Sequence, residues 1–288
     1  MEARPIIVGY DASSDSRAAL RWALDEADRI QLPVRVVHVF NWYVGPSWLA
    51  SGPSAWPDTE ARAETYAMLA DVVEEAHRTH PQVAVDSPVL DGPTQVSLRD
   101  ASANAALVVI GARGTEGFAE LLIGSTAVSV STRAHCPVVV VRTDTAGAHG
   151  DVVVGVDGSP ASRLALEFAF DRAAVYQVGL RAIQCWTPPS TRYVPHGLDL
   201  ATIARAIHGE LDDMVAEWRQ KFPQVNVLTQ VLTGAAAGHL VAASADATLV
   251  VVGSRGRGAV SGTFLGSVSQ ALIHHAHCPV AIVRQTTS

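Results

Sequence analysis

Short, uninterrupted apolar runs alternate along this chain with longer stretches whose apolar positions repeat every three to four residues. Pro5 to Tyr10 and Asp151 to Val156 are runs of the first kind, which predict strands buried on both faces, as in a parallel sheet covered by helices. After each run the pattern changes. Leu20, Ala23, Leu24 and Ala27 share one face at the i, i+3, i+4, i+7 spacing, and so do Leu166, Ala169, Phe170 and Ala173, each 146 positions later. Ser13, Ser14 or Asp15 would cap the first of these helices, and Ser159 followed by Pro160 the second.

The alternation continues in parallel through both halves. Strands are predicted over Val34 to Phe40 and Leu180 to Trp186, second helices over Thr59 to Arg78 and Ala201 to Lys221, and third strands over Val83 to Leu90 and Val225 to Leu232. Third helices (Thr94 to Ala103, Ala237 to Ala245), fourth strands (Ala106 to Ile110, Thr248 to Val252), fourth helices and fifth strands (Val138 to Val141, Val280 to Val283) complete each copy. Five strands alternating with four helices, twice, imply an α/β fold of two tandem doubly wound five-stranded parallel-sheet domains with right-handed crossovers. The expected boundaries are residues 1–143 and 150–288, with Thr143 to Gly150 as the linker. The offset between copies falls from 146 to 142, which puts four extra residues of the first copy after its second strand. The last strands present apolar edges, so the two domains are expected to pair through them about a pseudo-two-fold axis.

Composition narrows the class. A chain of 288 residues holds two domains that each bury a core. A net charge of −7 with no run of Lys or Arg argues against nucleic acid as a partner and favours a small ligand. Charged residues interrupt every apolar run before it could span a bilayer, and no basic-then-apolar leader opens the sequence, so no membrane insertion and a cytoplasmic location are expected. The three cysteines include no Cys-x-x-Cys, and Cys136 and Cys278 read as small buried residues before the last strands.

The chemistry concentrates in a repeated glycine pattern. Gly111-Ala112-Arg113-Gly114 is followed after nine residues by Gly124-Ser125, and Gly253-Ser254-Arg255-Gly256 after nine residues by Gly266-Ser267. Each pattern follows a strand and opens a helix, the setting in which backbone N–H groups and a helix N-terminus meet an anion. In an open α/β sheet, ligands bind at the carboxyl ends of the strands where the winding reverses, here between the first and fourth strands. Asp11 and Asp157 end the first strands, where they would accept from ribose hydroxyls or cap a helix. The glycines alone would equally serve a tight turn or close packing. Arg113 and Arg255 would meet phosphate or remain solvated.

Gly-x2-Gly-x9-Gly-Ser after the fourth strand, Gly-x-Asp at the end of the first, Val-His-Val in the second and the closing His-Cys-Pro-Val together resemble the universal stress protein family in its tandem form. The resemblance covers essentially the whole chain. It implies an adenine nucleotide alpha hydrolase-like fold with strand order 3-2-1-4-5, the ATP-binding subclass, up to two ATP per chain with Mg or Mn, a homodimer, and regulation of stress response or growth through an unidentified protein partner. It further implies that Gly9, Asp11, Gly155 and Asp157 lie beside the nucleoside, with Val39 and Cys185 offering backbone contacts to the adenine edge. Gly111, Gly114, Gly124, Ser125 and Thr126 would line the phosphates of the first site. Gly253, Gly256, Gly266, Ser267, Val268 and Ser269 would line those of the second.

Catalysis has less support than binding. Lys221 is the only lysine and lies far from either loop, so no loop lysine serves phosphoryl transfer, and no hydrolase or kinase motif occurs. Weak ATP hydrolysis, autophosphorylation, or a scaffold with a structural nucleotide are the other functional readings. His274, His275 and His277 read as a basic helix end more than as metal ligands. The aromatic segment Asn41 to Pro57 reads as a loop packed on its own domain, with a lid over the base as the alternative.

Overall fold

The apolar runs form strands and the periodic stretches form helices, in the order the pattern predicts. In the first copy β1 (Ile6–Gly9), α1 (Ser14–Ile30), β2 (Val34–Phe40) and α2 (Thr59–Thr79) lead to β3 (Val85–Asp86), β4 (Val89–Asp91), α3 (Thr94–Ala101), β5 (Leu107–Gly111), α4 (Ser125–Arg133) and β6 (Val138–Val141). The second copy runs β7 (Asp151–Gly155), α5 (Pro160–Tyr176), β8 (Leu180–Trp186), α6 (Leu200–Lys221), β9 (Val227–Thr233), α7 (Ala236–Ala243), β10 (Ala247–Gly253), α8 (Ser267–His275) and β11 (Val280–Val283). The computed structural model describes residues 3–40, 59–114, 123–143, 149–188, 199–257 and 265–285. The aromatic segment 41–57 lies outside them.

Helix starts and ends follow local chemistry. The Ser13 and Ser159 hydroxyls accept from the N–H groups of Ser16 and Ser162, the N-cap arrangement, with Pro160 at the first turn of α5. Both helices end in a left-handed residue, Gln31 and Gln177. The apolar faces read from the sequence are buried in both copies, Ala23, Ala27, Ala169 and Phe170 completely.

Each copy has the order third-second-first-fourth-fifth, all parallel, and the two join through β6 and β11 into one sheet, β3-β2-β1-β5-β6-β11-β10-β7-β8-β9, with β4 also on β2. The junction is antiparallel, with Val140 opposite Val280 and Val138 opposite Ile282, the pairing expected of two apolar edges. One element departs from expectation. The single strand read over Val83 to Leu90 is two short strands, because Pro88 lacks the N–H that a continuous ladder needs. Its counterpart β9 contains no proline and pairs with β8 along seven residues.

Two arginines lock the junction. Arg142, just past β6, donates to the carbonyl of His274 in the last turn of α8, and Arg284, just past β11, donates to the carbonyl of Thr132 in the last turn of α4 at 2.6 Å. Each copy thus satisfies a helix-end carbonyl of the other. Cys136 and Cys278 are buried beside this seam, and burial pushes both thiols up to about 12. Among the described residues no helix is long and apolar enough to cross a membrane.

Candidate nucleotide site

The crevice at the carboxyl ends of β1 and β5, and of β7 and β10, is built the same way twice. β5 and β10 each end at the first glycine of the motif, and this glycine is a packing residue. A methyl group on Gly111 would stand 2.7 Å from the Asp15 carbonyl carbon and 2.8 Å from the Ser16 nitrogen; on Gly253 it would stand 2.9 Å from the Ala161 carbonyl carbon. Only hydrogen leaves room for the first turn of α1 or α5 against the strand end. Gly9 and Gly155 serve a similar purpose on the other face, where Leu98 and Ile110, or Leu240 and Val252, fill the space a side chain would take.

The second glycine meets the aspartate. A methyl group on Gly114 would lie 2.6 Å from Asp11 Oδ2, and one on Gly256 would collide with Asp157 Oδ2. Asp11 also accepts from the Ser13 N–H at 3.0 Å. Asp157 accepts from the N–H groups of Ser159 at 3.0 Å and Arg257 at 2.8 Å. Burial would raise the Asp157 carboxyl, but these bonds and those from the serine hydroxyls outweigh it and hold it below its ordinary value. Neither aspartate is the helix cap, since Ser13 and Ser159 are. Each instead ties the turn after the first strand to the glycine loop. The capping serines add a second tie, donating to the carbonyls of Arg113 at 3.2 Å and Arg255 at 3.4 Å.

The third glycine is the N-cap of the next helix. Gly124 and Gly266 have extended φ and ψ, and neither cap makes a side-chain hydrogen bond to the first turn. Their own N–H groups are committed to the carbonyls of Ala112 and Ser254 at 2.8 and 2.9 Å, so the donors presented outward are those of the residues that follow. Ser125 and Ser267 open the helices on the exposed surface, with Thr126 and Val268 next. A helix start capped by glycine leaves first-turn N–H groups for an anion, and this donor set fits a phosphate. Val39 and Cys185 lie two residues beyond the last pairs of β2 with β1 (Val37 with Gly9) and of β8 with β7 (Ile183 with Gly155). Their side chains pack on the α3/α4 and α7/α8 side of the sheet, and they pair with Leu90 and Leu232 of the neighbouring outer strands.

The Ser269 side chain is buried, and its hydroxyl donates to the Gly253 carbonyl at 2.8 Å, bracing the loop from beneath. Val268 packs against the same core.

Sequence reasoning missed an internal tether of the first loop. Asp15 accepts from the Arg113 N–H at 3.1 Å, from Arg113 Nε at 3.0 Å and from the Thr143 N–H at 3.0 Å, and the Thr143 hydroxyl donates to it as well. Burial would raise this carboxyl, but the bonds from Arg113 and Thr143 outweigh it and keep it below 3.8. Gln95 of α3 also donates to the Ser125 hydroxyl at 3.2 Å. In the sequence Asp15 reads only as a cap, because partners 98 and 128 residues away leave no local signal. Among the described residues no group of three or more His, Cys, Asp and Glu side chains gathers as metal ligands.

Comparison with known proteins gives one consistent result. The model of the universal stress protein family matches residues 2–142 and again 149–284. A universal stress protein of Mycobacterium tuberculosis is 35% identical over 98% of this chain and 97% of its own. One from Mycolicibacterium smegmatis is 35% identical over 97% and 96%. Among solved structures, a universal stress protein from Archaeoglobus fulgidus superposes with a TM-score of 0.71 at 20% identity, covering 99% of this chain and 97% of that one. A second, from Pseudomonas aeruginosa, gives 0.65 at 15% identity, covering 98% and 93%; both bear on the fold alone. With two matches of the family model and relatives 35% identical over nearly the whole of both chains, this chain belongs to the universal stress protein family.

Proposed function

We propose that the chain binds ATP, one molecule in each crevice, and that occupancy alters its interaction with a regulatory protein partner in the stress or growth response. The observation that supports this reading best is the glycine-capped helix start, repeated at α4 and α8, facing an aspartate-bearing turn across the reversal point of each sheet. Ser125, Thr126, Ser267 and Val268 would present first-turn N–H groups to the phosphates, assisted by the two serine hydroxyls. Asp11 and Asp157 would face the ribose, and Val39 and Cys185 would offer main-chain groups to the adenine edge. A divalent ion such as Mg or Mn would accompany the phosphates, held largely by water. The chain is proposed to act in the cytoplasm as a homodimer of tandem units.

The test uses the exposed serines. An aspartate at the first helical position suits the helix dipole and preserves the fold, but repels a phosphate. Purified wild type is expected to release or bind close to two ATP per chain, by mass spectrometry of extracted nucleotide and by calorimetry. Ser125→Asp and Ser267→Asp are each expected to lose one. Undiminished stoichiometry in the double variant would overturn the assignment.

A further inference from the structure

The sheet has two outer edges, and they are finished differently. At one end β3 and β4 have only two and three residues, Pro88 interrupts them, and Asp86 and Asp91 place charge there, Asp86 in an ion pair with Arg35. Short strands, a proline and charge are the devices that keep a sheet edge from recruiting another strand. At the other end β9 runs unbroken for seven residues, Val-Leu-Thr-Gln-Val-Leu-Thr, with neither proline nor charge. Leu228 within it is 52% exposed. The backbone groups of β9 alternate between its neighbour and the open side. The Asn226 carbonyl accepts from the Leu180 N–H, and the Gly234 N–H donates to the Trp186 carbonyl, both toward β8. The even-numbered residues between them therefore face β8. Val227, Thr229, Val231 and Thr233 point their N–H and C=O groups outward, where no strand lies among the described residues.

We propose that β9 is the surface through which two copies of the chain join, each adding its own β9 to the other antiparallel about a two-fold axis at Gln230. The inference rests on the homodimer reading and deepens it by naming the interface. In this register Val227 meets the second copy's Thr233 and Thr229 meets its Val231, so every outward-pointing residue faces another and exchanges both hydrogen bonds. Leu228 falls opposite the second copy's Leu232, which covers the exposed leucine with an apolar neighbour, and Gln230 lies beside its own counterpart. The strand thus complements itself in backbone and in side chains. Charges beside it are matched within one chain: Asp212, bonded to Thr229, pairs with Arg219 and His208, and Arg181, opposite Leu228, pairs with Asp246. The chain already joins its own halves in this manner, through the antiparallel pairing of β6 with β11. With the β3 and β4 edge guarded, growth stops at two copies.

The experiment exploits the axis. In the full chain, Gln230→Lys and Gln230→Glu each set like charges side by side and are expected to weaken the dimer about tenfold in sedimentation equilibrium. An equimolar mixture of the two variants should recover association, as a heterodimer seen by native mass spectrometry. Gln230→Cys tests the geometry separately. Opposed residues of such a non-hydrogen-bonded pair have Cα atoms about 4.5 Å apart, within the reach of a disulfide, so mild oxidation should give a covalent dimer beyond any formed by wild type. Charge variants that dimerise like wild type, or a cysteine variant that does not cross-link, would overturn the inference while leaving the homodimer reading intact. A wild type that stays monomeric at every concentration would overturn both and leave the edge to a strand of another protein.

Discussion

Glu26 and Arg172 occupy the same position in the two copies, 146 residues apart, and form an ion pair with each other on the axis that relates them. Both side chains are buried between α1 and α5, the Tyr176 hydroxyl donates to the second Glu26 oxygen at 2.7 Å, and Asp171 takes the other arm of the guanidinium. In a symmetric pair of separate identical subunits this position would face its own copy, glutamate on glutamate or arginine on arginine. Covalent fusion is what allows opposite charges to meet there.

The pair should therefore be costly to break and inexpensive to replace. Glu26→Leu or Arg172→Leu alone leaves one buried charge and is expected to destabilise by about 3–5 kcal/mol, whereas the double leucine variant should recover most of that loss. Urea unfolding of the four proteins in a double-mutant cycle checks it. Additive losses would mean that the two groups do not act as a pair.

The three glycines of each loop should respond unequally to alanine. At Gly111 the added carbon meets the backbone of α1, which cannot shift without moving the whole helix, and a loss of about 2–4 kcal/mol is expected. At Gly124 the nearest atoms lie 3.5 Å away or farther, so Gly124→Ala should cost about 1 kcal/mol or less. Thermal melts of both variants read the difference directly.

Ala12 has a φ of +63° where the second copy has Gly158 at +78°. The left-handed conformation strains alanine but not glycine, so Ala12→Gly is expected to stabilise by up to about 1 kcal/mol. Gly158→Ala should destabilise by more than that, because the new methyl also meets the Arg257 guanidinium. Denaturant midpoints that move in the same direction for both substitutions would contradict the strain argument.

Asp15 should set part of the acid stability. Its folded carboxyl sits below its ordinary 3.8, so the folded state holds fewer protons than the unfolded state in that range. Its contribution is complete well above pH 4 and is lost as the pH falls through the depressed folded value. Asp15→Asn should therefore flatten the decline in melting temperature between pH 5 and pH 3 while lowering stability at pH 7. Parallel profiles for the two proteins would remove Asp15 from that role.

Most of the scaffold was legible in the sequence because it rests on local periodicity. The buried faces of α1 and α5, the capping serines and the apolar last strands each announce themselves within a few residues. The break between β3 and β4 also has a local mark, Pro88. The site was only half legible. Glycines mark where the backbone is crowded, yet spacing does not say what crowds it, and at Gly111 and Gly253 the nearest atoms are those of a helix. Asp15, Gln95 and the inward-facing Ser269 depend on contacts between distant segments, which no window along the chain contains.

The crossed arginines have a mechanical consequence. α4 is a nine-residue helix, about 13 Å long, that begins at the glycine-capped loop and ends at the carbonyl gripped by Arg284; α8 is its counterpart under Arg142. Each crevice is thus connected to the opposite half by a rigid strut with a handhold at its far end. A push on either loop would therefore be felt at the last strand of the other half, as on the two arms of one rocker.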